Sequence, residues 1–66
     1  MQLTVNGEER TFEGVADVAD LVAALGLDSR KVAVELNLEI VPRSAYAGAG
    51  LADGDRIEIV HFIGGG

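Results

Sequence analysis

Apolar and polar residues alternate at both ends of this chain and recur at a helical spacing between them. Residues 2–5 read Gln2-Leu3-Thr4-Val5, a period of two that places Leu3 and Val5 on one face of a strand. Asn6-Gly7 follows, a pair suited to the two positive-φ positions of a tight hairpin turn, so a second strand returns over about Glu9–Glu13. Antiparallel pairing keeps Leu3, Val5, Arg10 and Phe12 on one face, with Leu3, Val5 and Phe12 in the core and Arg10 near the open end of the hairpin. Gly14 ends this unit. Asp17 is placed as a helix N-cap, and Asp20 gives the first turn a carboxylate that complements the helix dipole. Val18, Leu21, Val22 and Leu25 then fall at i, i+3, i+4 and i+7, a single apolar stripe, and Gly26 is the left-handed stop with Leu27 as its hydrophobic partner.

Beyond the polar residues 28–31, Val32, Val34 and Leu36 alternate with Ala33 and Glu35, which predicts a third strand. Asn37 tolerates the left-handed conformation and turns the chain. Ile40 and Val41 form a short strand that Pro42 must end or place on an edge, because proline has no N–H for a ladder. Residues 43–50 are irregular or one helical turn. Residues 52–55 form a turn, and a last strand runs from Arg56 to Phe62 with Ile57, Ile59 and His61 on one face and Glu58, Val60 and Phe62 on the other. A hairpin, one crossing helix and a return to the sheet make a two-layer α+β domain with a mixed sheet. This is the β-grasp arrangement, in which the last strand lies beside the first and parallel to it. The hairpin residues, the helix stripe, Val32, Val34, Leu36, Ile57 and Ile59 make one core. Val60 and Phe62 remain on the open face, either as an apolar pair that can dock a partner or with one of them folded over the sheet edge.

Residues 62–66 read differently from the domain over residues 1–61. Gly64, Gly65 and Gly66 have no side chains to bury and the widest backbone freedom, so a thin, flexible tail is expected. A glycine run can also be a frayed end or a cloning scar, but here a strand feeds into it with no linker between, which favours a functional arm.

Sixty-six residues form one small domain, which buries only about 60% of the surface its unfolded chain exposes. With no cysteine there is no disulfide, thiolate metal site or cysteine nucleophile, and apolar packing alone must close the core. No apolar run reaches the ~18 residues of a membrane span and no secretory signal opens the chain, so a soluble, cytoplasmic protein is expected. Eleven Asp and Glu against five Lys and Arg, a formal net charge of −6, argue against contacts to a nucleic-acid backbone. The same charge suits a basic partner surface or serves solubility.

Catalytic constellations are poorly represented. His61 is the one histidine, at a strand end, with no serine or cysteine nucleophile suggested beside it. Ser29, Ser44, Tyr46, Asp53 and Asp55 fall in turn-like contexts that suit capping or solvation. Gly48 and Gly50 lack the lysine of a phosphate loop, and neither Glu8/Glu9 nor Asp53/Asp55 offers enough ligands for a hard cation. No bound metal or cofactor is expected. A carboxylate at the end of the tail is another matter: it can enter a deep slot in another protein, which must activate it before a nucleophile can attack. The chain is thus expected to be a substrate rather than an enzyme.

The opening MQLTVNGE, the stretch ELNLEIVPRSAYAG, the run LADGDRIEIV and the terminal glycines together resemble the ThiS sulfur carrier family of thiamine biosynthesis, within the group that includes the molybdopterin synthase small subunit and ubiquitin. The resemblance covers essentially the whole chain. It implies that an E1-like, ATP-using adenylyltransferase of the ThiF type adenylates the Gly66 carboxylate. Sulfur from a cysteine desulfurase route then leaves a thiocarboxylate, which a thiazole synthase of the ThiG type consumes. Gly66 would be the activated residue and Gly65 and Gly64 the residues that thread the partner's site. Asn37-Leu38 departs from the family pattern, which more often has a small residue in that turn. A molybdopterin synthase small subunit or a carrier for another sulfur pathway shares tail and fold; a ubiquitin-like modifier or a plain binding module would use the tail otherwise or not at all.

Overall fold

The computed structural model describes residues 1–62. It contains strands β1 (Gln2–Val5), β2 (Glu8–Thr11), β3 (Val32–Leu36), β4 (Glu39–Val41) and β5 (Arg56–His61), with one α-helix, α1 (Val18–Ala24), and 3-10 turns over Ser29–Lys31 and Arg43–Gly48. The five strands form one mixed sheet in the order β2-β1-β5-β3-β4. β5 runs parallel to β1 and antiparallel to β3, and the two hairpins close the outer edges. This is the expected β-grasp topology.

The first hairpin has a two-residue loop. Asn6 and Gly7 take φ of 49° and 83°, the paired positive values of a turn whose twist matches that of its strands. Leu3 faces Arg10 across the ladder, and the Arg10 guanidinium lies 5.3 Å from the centre of the Phe12 ring. The second strand is shorter than expected, ending at Thr11, although Met1 and Phe12 still exchange hydrogen bonds of 2.8 and 2.9 Å.

Asp17 caps α1 by accepting the Asp20 N–H at 2.8 Å, while the Asp20 carboxylate reaches back to the Ala16 N–H at 2.9 Å. At the other end Leu27 N–H reaches Val22 C=O and Gly26 N–H reaches Ala23 C=O, with Gly26 at φ 73°, so the helix ends in a Schellman motif. Val18, Leu21 and Val22 are buried against the sheet with Leu3, Val5, Val32, Val34 and Ile57. Phe12, Leu25, Leu36 and Ile59 pack on this core but stay partly exposed.

Two buried residues depart from the sequence expectation. Tyr46, expected to cap or solvate a turn, is instead only 4% exposed, its ring in the core and its hydroxyl donating to the Val32 carbonyl at 3.3 Å. Val15, in the segment between hairpin and helix, is also buried. Both close the side of the core where residues 49–51 run against the start of α1, joined by Val18 N–H to Ala49 C=O and Leu51 N–H to Ala16 C=O.

Candidate functional site

β5 carries the chain from the core to the tail, and its position is fixed from both sides. Ile57 is fully buried and anchors its beginning. Both asparagines of the hairpin turns then act as extra rungs of the sheet. Asn37 bonds Arg56 through its own N–H (2.8 Å to the carbonyl) and its side-chain oxygen (3.0 Å from the Arg56 N–H), while its amide nitrogen donates to Asp55 at 3.1 Å. Asn6 extends β1 past its last residue: its side-chain oxygen accepts the Ile59 N–H at 2.7 Å and its amide donates to the Ile59 carbonyl at 3.2 Å. Phe62 still donates its N–H to the Lys31 carbonyl at 2.8 Å, one residue beyond the strand. Backbone hydrogen bonding thus continues to Phe62, the last described residue.

Val60 and Phe62 lie on the face away from α1, 61% and 58% exposed, with Val60 opposite Ala33. Sequence reasoning did not place their neighbours. Ile40 pairs with Glu35 and is 77% exposed, and Arg43 begins the 3-10 turn after Pro42. Ile40, Phe62, Arg30 and Arg43 line one shallow groove of about 290 Å³. The signal for Ile40 was its position one residue before Val41, which pairs with buried Val34 and so turns Ile40 outward. Nothing local in the sequence brings Arg30 and Arg43 to the same groove.

Asp28 caps the first 3-10 turn and makes two side-chain hydrogen bonds to Arg30, the closer at 2.9 Å. Those bonds hold the Asp28 carboxyl well below the usual carboxylate range and raise Arg30. His61 is exposed on β5. Among the described residues no group of three His, Cys, Asp or Glu side chains is placed to hold a metal ion. Gly64, Gly65 and Gly66 lie outside the described residues.

β5 thus ends beside exposed apolar side chains, with hydrogen bonds fixing it from both sides. The family model of the ThiS family matches residues 3–66. The chain belongs to the ThiS family. The fold agrees: a crystal structure of a ThiS thiamine biosynthesis protein from Geobacter metallireducens superposes with a TM-score of 0.85 at 40% identity, covering 100% of both chains. Sulfur carrier protein ThiS of Bacillus subtilis is 40% identical over 65 residues, which are 97% of this ThiS-family chain and 98% of that protein. Two longer relatives are thiazole synthases, from Paramagnetospirillum magneticum at 61% identity and Magnetococcus marinus at 42%, each matched over all of this chain. The chain spans 20% of the length of each. No helix among the described residues is long and apolar enough to cross a membrane.

Proposed function

We propose that this chain is a sulfur carrier in thiamine biosynthesis, a substrate of its partners whose Gly66 carboxylate carries the sulfur. The observation that supports this best is the end-to-end similarity to the Bacillus subtilis carrier. A carboxylate is ionised at neutral pH and resists nucleophiles until one oxygen becomes a leaving group. In the proposed cycle an E1-like adenylyltransferase joins a carboxylate oxygen to the α-phosphorus of ATP and releases pyrophosphate. A persulfide charged by a cysteine desulfurase then attacks the acyl carbon through its terminal sulfur and expels AMP. A second thiol of the partner attacks the other sulfur of the resulting acyl disulfide, forming a protein disulfide and releasing the thiocarboxylate, which gives its sulfur to thiazole synthase. ATP belongs to the activating partner, and the cycle runs in the cytoplasm. Glycine at the reacting end leaves no Cβ to obstruct a narrow slot or crowd the incoming sulfur. Gly65 and Gly64 thread that slot behind it, and Val60 and Phe62 rest on the partner's surface.

Intact-protein mass spectrometry on material from thiamine-starved cells, with an alkylating trap for thiocarboxylate, tests this. An oxygen-to-sulfur increment localised to Gly66 is expected. An unmodified carboxylate in cells that contain the activating enzyme would sink the carrier assignment. A second reading, favoured by the relatives in which the matched region is one fifth of a thiazole synthase, is that the domain works within a longer polypeptide. The same spectrum separates the two, since a Gly66 held in a peptide bond has no carboxylate to activate.

A further inference from the structure

The cations of this acidic chain are unevenly placed. Of its five Lys and Arg, two, Arg30 and Arg43, line the groove that Phe62 and Ile40 share, and a third, Lys31, holds the Phe62 N–H through its backbone carbonyl. Asp28 is ion-paired with Arg30 at 2.9 Å, and Arg43 forms no ion pair among the described residues. None of the other ten carboxylates lines the groove, although Glu35 faces Ile40 across the β3–β4 ladder. The groove thus presents one guanidinium without an ion pair among the described residues, that of Arg43, beside the apolar side chains of Ile40 and Phe62, on a chain of net charge −6.

We propose, building on the carrier function above, that this groove docks an acidic segment of the thiazole synthase partner. A carboxylate of that segment pairs with Arg43, and an adjacent apolar side chain packs on Ile40 and Phe62. Reach is the first reason. Four residues follow Phe62 and span at most ~14 Å of chain, so an enzyme that takes Gly66 into its reaction centre must bring its surface up to Phe62. Charge complementarity is the second. Long-range attraction favours a basic approach to this protein, but at the groove itself only an acidic group meets its opposite, and the planar guanidinium fork of Arg43 suits a carboxylate in two-point contact. Third, two relatives hold the matched region and the remainder of a thiazole synthase in one polypeptide, where tethering keeps such a contact at high effective concentration.

The test measures binding of the full chain to purified thiazole synthase from the same organism, by stopped flow at low salt and at ~0.5 M salt, where screening shortens to a few ångströms. Arg43→Glu is expected to slow association about tenfold at low salt, with the difference shrinking at high salt. Arg10→Glu makes the same change in net charge at the opposite edge of the sheet and is expected to stay within about twofold of the parent. Circular dichroism of each variant checks the fold, and Arg43 is exposed. A folded Arg43→Glu chain that associates like the parent overturns the docking proposal alone. An equal loss from Arg10→Glu overturns it too, since net charge would then explain the effect. Absence of binding by the parent chain overturns both this proposal and the acceptor step above. A self-association of the free chain that Arg43→Glu abolishes would assign the groove to a second copy, against the proposal.

Discussion

Leu38 occupies a backbone conformation that L-residues avoid. Its φ is 73°, next to Asn37 at 50°, so the β3–β4 hairpin uses the same doubly positive turn as Asn6-Gly7 but with a branched residue where the other has glycine. The side chain is 76% exposed, and burial therefore does little to offset the strain. Relief of a left-handed leucine is worth about 1–2 kcal/mol and the extra unfolded-state freedom of glycine costs about 0.5–1. Leu38→Gly is therefore expected to stabilise the fold by roughly 0.5–1 kcal/mol and raise Tm by about 2–8 °C in a domain of this size. Thermal unfolding followed by circular dichroism decides it; a lower Tm would mean that the leucine makes a folded-state contribution not visible in its exposure.

At the scale of elements, the final strand is the one that the proposed function depends on, and Asn6 secures its second half. β1 pairs with β5 only at Thr4–Arg56 and Val5–Ile57, after which the Asn6 amide substitutes for the missing residue of β1. Asn6→Gly keeps the positive φ but removes both bonds to Ile59. Loss of that pair is expected to cost about 1–2 kcal/mol, which hydrogen exchange would register as a 5- to 30-fold faster rate at the Ile59 amide if opening is local. Amides of α1 should be far less affected; uniform acceleration through the helix would show that Asn6 supports the whole fold instead of the strand. The turn itself was legible from Asn6-Gly7, and α1 from its apolar period and its capping residues at both ends. The clamp was not, because it joins residues 53 apart in sequence and no local pattern encodes it. Tyr46 failed to announce itself for a related reason: a lone aromatic in a short 3-10 turn has no periodicity, and its burial follows from how that turn lies over α1 and Val32. On the site side, strand alternation was enough to put Val60 and Phe62 on the open face, whereas the grouping of Ile40, Arg30 and Arg43 needed the β3–β4 register and the path after Pro42.

For the molecule as a whole, a chain of 66 residues is held by about 3–10 kcal/mol, so a function that required loosening the core would be hard to sustain. This architecture separates the two demands. The buried core runs from Leu3 to Ile57, and the hydrogen bond from Phe62 to Lys31 is the last contact of the described chain. Removing Gly65 and Gly66 is accordingly expected to leave Tm unchanged while abolishing ATP–pyrophosphate exchange by the activating enzyme, because the terminal carboxylate, now on Gly64, is drawn back by ~7 Å from the activating site and no core residue is touched. Removing residues 60–66 takes away the Ala33–Val60 and Val32–His61 pairings as well and should lower Tm. Thermal unfolding and exchange measured on the same two truncations make the comparison direct. If the shorter deletion already destabilised the fold, the glycines would be part of the scaffold; if it folded and still supported exchange, activation would not occur at Gly66. A stable but unreactive product of the first deletion, together with a destabilised product of the second, would locate the boundary between scaffold and carrier arm after the clamped strand.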